Sequence, residues 1–292
     1  MNEFPVVGQP VIVFAEECDR GNLRPENQDA VLHVRIALGE LLIVADGSGG
    51  HSGKSLASRL AVECFYTHLA ALPGDYPAED ALRKASAYAN EQLLAVFVMP
   101  ELPSARMGTA VVVALLQEEA DVTQAWVGHI GDCRAYLSRA GRLYNFSTDH
   151  SQVQSLLKMG MIEPEEVHNH PDTLVLTRSL GVRSAVEIEI EPHPLGIGDT
   201  LLLCSDGLWG SVSQKEIEKA ADAATVEAAA RNLLELALSA GGHDNIGIEM
   251  ARVLAPPEAA PVREQSPNTL KLVLLFFVIC LVVMLTLAYF FL

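Results

Sequence analysis

Residues 39–53 read GELLIVADGSGGHSG. An unbroken apolar run, Leu41 to Ala45, leads into Asp46, and a glycine-rich turn follows at once. A short apolar run closed by turn residues predicts a strand buried on both faces. An aspartate at the end of such a strand is half buried. Removing a carboxylate from water is costly unless a cation or hydrogen bonds compensate it. The stretch therefore predicts a buried sheet with an acid at its margin.

The same arrangement recurs along the chain. Asp206 ends the run LLLCSD and precedes GL, and Asp132 follows the apolar stretch AWVGHI within GDCR. Asp244 lies in GGHDN just before another apolar run, and Asp29 lies in RPENQDA, also ahead of a strand. Each aspartate taken singly is a turn or cap residue. Five at corresponding positions are harder to explain as turns. Only Arg24 and Arg134 lie close by in sequence to neutralise them. Divalent metal is the simpler compensation, because hard cations take carboxylate oxygens, carbonyls and water.

Apolar spacing predicts helices from Gly53 to about Ala71, stopped by Pro73-Gly74, and from Ala78 to Val98, stopped before Pro100. Strands are predicted at Thr109–Leu116, Val122–Ile130, Arg134–Ser138, after Gly141, at Thr200–Cys204 and at Ile246–Val253. Two further helices are predicted at Gln214–Ala221 and Thr225–Ser239. Helices in consecutive pairs among runs of strands indicate an α+β layering, not alternating βαβ units.

Eight pieces in this order carry a resemblance: RPENQDA (24–30), VADGSGGHSG (44–53), MGTAVVVALL (107–116), VGHIGDCRAYL (127–137), TDHS (148–151), LTRSLG (176–181), LLLCSDGLW (201–209) and GGHDNIGI (241–248). They resemble the metal-dependent protein serine/threonine phosphatases of the PPM group, type 2C, in its bacterial branch. The resemblance implies a central β-sandwich of two antiparallel sheets flanked by helix pairs in α-β-β-α layers. It also implies two Mg²⁺ or Mn²⁺ ions and hydrolysis of phosphoserine and phosphothreonine in proteins. On that resemblance Asp46 bridges the two ions, and the Gly47 carbonyl binds one of them. Asp206 and Asp244 hold the other, and Asp29 acts through water. Asp132, with Asp206, matches a third, weaker metal site. Arg24 pairs with the substrate phosphate, so Arg24, Asp46 and Asp206 are the expected catalytic residues.

Some positions depart from the family pattern. Gln28 stands where Glu is frequent; an amide there replaces a carboxylate that orients metal-bound water, so weaker binding of the second metal is expected. Ser48 stands where animal members carry His, and Gly247 where a Thr is common. His51 and His129 read as a loop and a strand residue near the site. The segment Gln152–Leu176 corresponds to a mobile flap that influences substrate choice, and His168 and His170 within it read as loop residues. Trp209 is expected to pack on the adjacent helix.

The totals agree with this expectation. The 292 residues carry 37 acidic against 20 basic side chains, a net charge of −17, which argues against a nucleic-acid partner. Cys18, Cys64, Cys133, Cys204 and Cys280 are widely spaced without a CxxC, so reduced thiols are expected. Cys204, inside an apolar run, reads as packing.

Residues 272–292, LVLLFFVICLVVMLTLAYFFL, carry no charge. As a helix they span roughly 31 Å, the thickness of a bilayer's hydrocarbon. Lys271 and Arg263 precede them, which predicts a cytoplasmic position for the preceding domain. The expected organisation is a catalytic domain over 1–254, a Pro-rich linker over 255–270 and a single transmembrane helix over 271–292. Such a chain would be a tail-anchored inner-membrane protein. Its expected partners are phosphorylated proteins, a Ser/Thr kinase or that kinase's substrates. The alternative is a catalytically silent relative that docks phosphoproteins at the membrane.

Overall fold

The computed structural model describes residues 10–48, 54–97, 107–119, 122–163, 166–167, 170–173 and 175–256. In chain order these form β1 (Val11–Asp19), β2 (Asp29–Ile36), β3 (Gly39–Ser48), α1 (Lys54–Ala70), α2 (Ala78–Phe97), β4 (Gly108–Glu119) and β5 (Val122–Ile130). There follow β6 (Arg134–Arg139), β7 (Arg142–Asn145), α3 (Gln152–Lys158), β8 (Glu189–Leu195) and β9 (Thr200–Cys204). The one-turn α4 (Asp206–Trp209), α5 (Gln214–Ala221), α6 (Val226–Ser239) and β10 (Ile246–Leu254) complete the order.

Two five-stranded sheets form, with orders β1-β10-β9-β6-β7 and β2-β3-β4-β5-β8, and every pairing is antiparallel. Side-chain alternation explains why the runs are apolar throughout. In β3, Leu41, Ile43 and Ala45 join the core under α1 and α2, while Leu42 and Val44 join the core between the sheets. In β9, Leu202 and Cys204 face α5 and α6, and Leu201 and Leu203 face the other sheet. Both faces of β3 from Leu41 to Ala45 and of β9 are dry, so no polar alternation survives in those runs. Each fully buried Leu or Ile contributes about 1.5–3 kcal/mol. Cys204 is a packing residue, as its apolar context suggests.

Two strands have no counterpart in the sequence-based expectation. Strand β8, EIEPHPL, carries two prolines, and it is an edge strand pairing only with β5. Proline is tolerated there because one side of the strand needs no ladder donors. Strand β1 is an edge of the other sheet and is at most partly buried along its length. Helix ends are capped conventionally: Ser213 and Glu216 form a capping box, and the Thr225 hydroxyl accepts from the Ala228 N–H.

Among the described residues no helix is long and apolar enough to cross a membrane. The span expected over 271–292, and the linker from residue 257 onward, lie outside the described residues, as do His51 and His168.

The register sets the site. Asp29 pairs with Asp46 across β2 and β3, and Asp46 pairs with Ala110 on β4. In the other sheet Cys204 pairs with both Ile248 and Arg134. The C-terminal end of β9 therefore meets the N-terminal ends of β10 and β6. The acids beside those ends, Asp206, Asp244 and Asp132, fall at one end of the sandwich.

Candidate metal centre

The five aspartates come from segments far apart in sequence, and the other four lie close enough to Asp46 for their charges to act on it. Asp46 feels Asp206, Asp29, Asp132 and Asp244. Asp46 is also a hydrogen-bond partner of both Asp29 and Asp206. Asp29 and Asp132 are buried, while Asp46 and Asp206 keep partial access to solvent. Asp46 is not the last residue of its strand, as the sequence suggests. Strand β3 continues to Ser48, and the Gly47 N–H donates to the Gln28 carbonyl at 3.2 Å.

Burial and mutual repulsion raise every carboxyl at the centre of this cluster. Burial, followed by Asp206 and Asp244, brings Asp29 to about 7 against a lowering bond from Ser205. Burial and Asp244 bring Asp206 to about 6. Burial first and then Asp206 push Asp46 well above the ordinary carboxylate range, and they do the same to Asp132.

The positive charge nearby is small. Arg24 Nη2 bonds Asp244 Oδ2 at 2.5 Å, at the partly exposed mouth. Arg134 gives its charge elsewhere: it binds Asp149 through two bonds of 2.8 and 2.7 Å and stacks 3.5 Å over the Trp209 ring. A set of hard oxygen donors with excess negative charge fits divalent cations. Asp29, Asp46, Asp132, Asp206 and Asp244, with the Gly47 carbonyl, are the donors available.

This chemistry predicts an unusual pH response. An acid whose folded pKa lies above its unfolded value makes the unfolded state the weaker proton binder, so stability falls as pH rises between the two values. In EDTA the chain is expected to lose melting temperature steadily from about pH 4 to pH 7, the window spanned by the Asp29 and Asp206 shifts. Added Mn²⁺ should raise the melting temperature most at the upper end, since metal competes with protons for the same oxygens. A calorimetric Mn²⁺ gain that is flat with pH would contradict this.

Several bracing residues escape a sequence reading. Ser205, just ahead of α4, donates its hydroxyl to Asp29 Oδ2 at 2.6 Å and accepts from the Gly247 N–H at 2.9 Å. Gly247 has a packing reason as well, for a Cβ there would lie 3.2 Å from Asp29 Oδ2. The absent Thr at that position costs Asp29 no partner. Asn245 clamps the 20–28 loop: its Oδ1 accepts from the Gln28 N–H, and its Nδ2 donates to the carbonyls of Arg20 and Glu26. The Gln28 carboxamide donates to Glu26 at 3.3 Å. Trp209 does more than pack on a helix. Its Nε1 donates to the Asp132 carbonyl at 3.0 Å, bracing that loop.

The histidines divide. His170 lies in a loop with Asp172 and does not join the aspartates. His129, on β5, is buried and bonds the Thr148 carbonyl through Nε2 at 2.9 Å. It stacks on His150, whose imidazole is held below its ordinary pKa by burial. Of the family-implied residues, Arg24, Asp29, Asp46, Gly47, Asp132, Asp206 and Asp244 all lie at this end of the sandwich. Trp209 belongs with them.

Comparison with known proteins agrees with this architecture. A family model described as protein phosphatase 2C matches residues 24–257. The chain is 37% identical over 250 residues to the serine/threonine protein phosphatase PstP of Mycobacterium tuberculosis, covering 84% of this chain and 45% of that one. It thus spans about half the length of that relative. It is 34% identical over 235 residues to the serine/threonine phosphatase Stp of Listeria monocytogenes, covering 79% of this chain and 91% of that one. Among solved structures, the PstP catalytic domain in complex with two manganese ions superposes with a TM-score of 0.73 at 33% identity, over 84% of this chain and all of that one. Stp1 of Staphylococcus aureus superposes with a TM-score of 0.77 at 28% identity, over 86% of this chain and 99% of that one. The chain belongs to the protein phosphatase 2C family.

Proposed function

We propose that this chain hydrolyses phosphoserine and phosphothreonine in proteins, using divalent metal held by the aspartates, at the cytoplasmic face of a membrane. The observation that carries the reading is the convergence of Asp29, Asp46, Asp132, Asp206 and Asp244 with Arg24 at its mouth. Relatives named as serine/threonine phosphatases support it.

Bound there, a pair of Mg²⁺ or Mn²⁺ ions supplies Lewis acidity and makes hydroxide available from water near neutral pH. Asp46, which interacts with both Asp29 and Asp206, would be a donor shared by the pair. Asp206, Asp244, Asp29 and the Gly47 carbonyl complete the donors, with Asp132 and Asp206 offering a weaker additional position. Arg24 engages Asp244 through one Nη, and among the described residues the rest of its planar donor fork has no other hydrogen-bond partner, which leaves it suited to phosphate oxygens at the rim. With water activated in that way, hydrolysis would need no residue of this chain as nucleophile.

The thiols agree with that. Burial pushes Cys18 and Cys64 up to about 11, and pushes Cys133 and Cys204 well above the usual range, so none of these is a thiolate at neutral pH. A phosphocysteine route is unsupported by any described cysteine.

The uncharged run 272–292 supports a single membrane span after a Pro-rich linker over 255–270, with the catalytic domain, residues 1–254, on the cytoplasmic side. Tethering raises the effective concentration of membrane-borne substrates, so a membrane Ser/Thr kinase or its substrates fits as partner.

The full chain in detergent is expected to hydrolyse p-nitrophenyl phosphate and a phosphothreonine peptide with Mn²⁺ and to stop in EDTA. It should stay with membranes after an alkaline wash, whereas a chain ending at residue 255 should not. Absence of Mn²⁺-dependent turnover would leave only a phosphoprotein-docking role. Release of the full chain by the wash would remove the anchor.

A further inference from the structure

His129 on β5, His150 just ahead of α3 and Glu189 at the start of β8 bring ligand-type atoms within 4.8 Å of one another. The group does not suit a cation. The two imidazoles stack at 4.7 Å with planes 12° apart, so their in-plane lone pairs run side by side and do not converge on one ion. Arg178 already holds Glu189 at 2.8 Å and places the same Nη1 3.2 Å from His150 Nε2.

The bonds of His150 point to another role. Its Nδ1 accepts from the Gly131 N–H at 3.1 Å, and its backbone N–H donates to the Gly131 carbonyl at 2.8 Å. A ring whose Nδ1 accepts carries its proton on Nε2. That Nε2 lies 3.0 Å from Glu189 Oε1, an acceptor for that proton. The held residue is conformationally special. Gly131 has φ +98°, and a Cβ there would lie 2.5 Å from Ala110 Cβ. Its successor is Asp132.

His150 also closes a loop. The Thr177 N–H donates to the His150 carbonyl at 2.8 Å, the Gln152 N–H donates to the Val175 carbonyl at 2.8 Å, and Ser151 bridges Leu176. The two ends of the segment 151–176 are tied together at the residue that clamps Gly131.

We propose that His150 is a positioning residue coupling the base of the 151–176 segment to the Asp132 loop, so that the Asp132 carboxylate is held toward Asp206 for the weakest-bound metal. The inference rests on the reading of the aspartates as a metal centre. Partners that orient ligands typically change metal affinity about 10–100-fold when lost.

The test uses the full chain in detergent and three variants, with Mn²⁺ binding followed by calorimetry and by electron paramagnetic resonance. His150→Asn places a carbonyl oxygen where Nδ1 accepts and keeps the Gly131 contact. His150→Gln reaches toward Glu189 but leaves the Gly131 N–H unmet, and His150→Ala loses both. The weakest Mn²⁺ step should weaken about 10-fold or more in His150→Ala and His150→Gln, and less than about 3-fold in His150→Asn, with the tighter steps unchanged in all. Asp132→Asn should reproduce the His150→Ala isotherm.

An unchanged weak step in a folded His150→Ala, or a His150→Asn as impaired as His150→Ala, overturns the coupling while leaving the phosphatase reading intact. A wild-type chain that binds no Mn²⁺ overturns both. Should His150→Ala fail to fold, the contrast between His150→Asn and His150→Gln decides.

Discussion

Asp46→Asn is expected to lower Mn²⁺-dependent kcat/KM by about 10³-fold or more, equivalent to about 4 kcal/mol of lost transition-state stabilisation, and at the same time to raise the melting temperature of the EDTA-treated chain. The two effects have one cause. Asp46 occupies the centre of the cluster and is repelled by Asp206, Asp29, Asp132 and Asp244, besides being buried. A neutral amide of the same shape removes that repulsion and removes the donor best placed to bridge two ions. Without metal the variant is relieved of strain, and with metal the wild type gains what the variant cannot. Calorimetry in EDTA and in saturating Mn²⁺ should show the order of stability inverting between the two conditions. A variant that melts below the wild type in EDTA would mean that the carboxylate is satisfied by the fold itself, and the metal-centre account would fail.

Arg24→Ala is the second large effect. It should cost about 10²–10³-fold in kcat/KM on a phosphothreonine peptide, without loss of Mn²⁺ binding. The guanidinium lies at the mouth on Asp244, with a planar donor fork suited to two phosphate oxygens. It is also a positive charge beside a metal donor, so removing it should leave Mn²⁺ affinity equal or tighter. Arg24→Lys should recover only part of the activity, because an ammonium cannot bind in the same bidentate way. If Mn²⁺ affinity fell together with activity, Arg24 would be acting as a scaffold for Asp244 and not as a phosphate contact.

The acids were legible because each lies beside a strand whose burial the sequence advertises. In GELLIVAD, both faces of β3 are covered, so the run is apolar without alternation and its aspartate stands out. The edge strand β8 was illegible for the converse reason. Its prolines and charges suit a strand with one free side, and only the pairing with β5 makes it a strand. Trp209 illustrates a mixed case. Its aromatic body packs as its neighbours suggest, but its N–H finds a carbonyl 77 residues earlier.

The buried central strands, the acids at their margin and the oxygen-donor chemistry were determined by the sequence itself, since apolar runs and turn-bound aspartates are local patterns. The bracing was decided by the tertiary structure. The hydroxyl of Ser205 finds Asp29 176 residues away, Asn245 pins the loop of Gln28 217 residues away, and the ring of His150 clamps Gly131. Such bonds depend on register and on side-chain direction across two sheets, which no local spacing encodes, because a hydrogen bond needs its partners within a few tenths of an ångström.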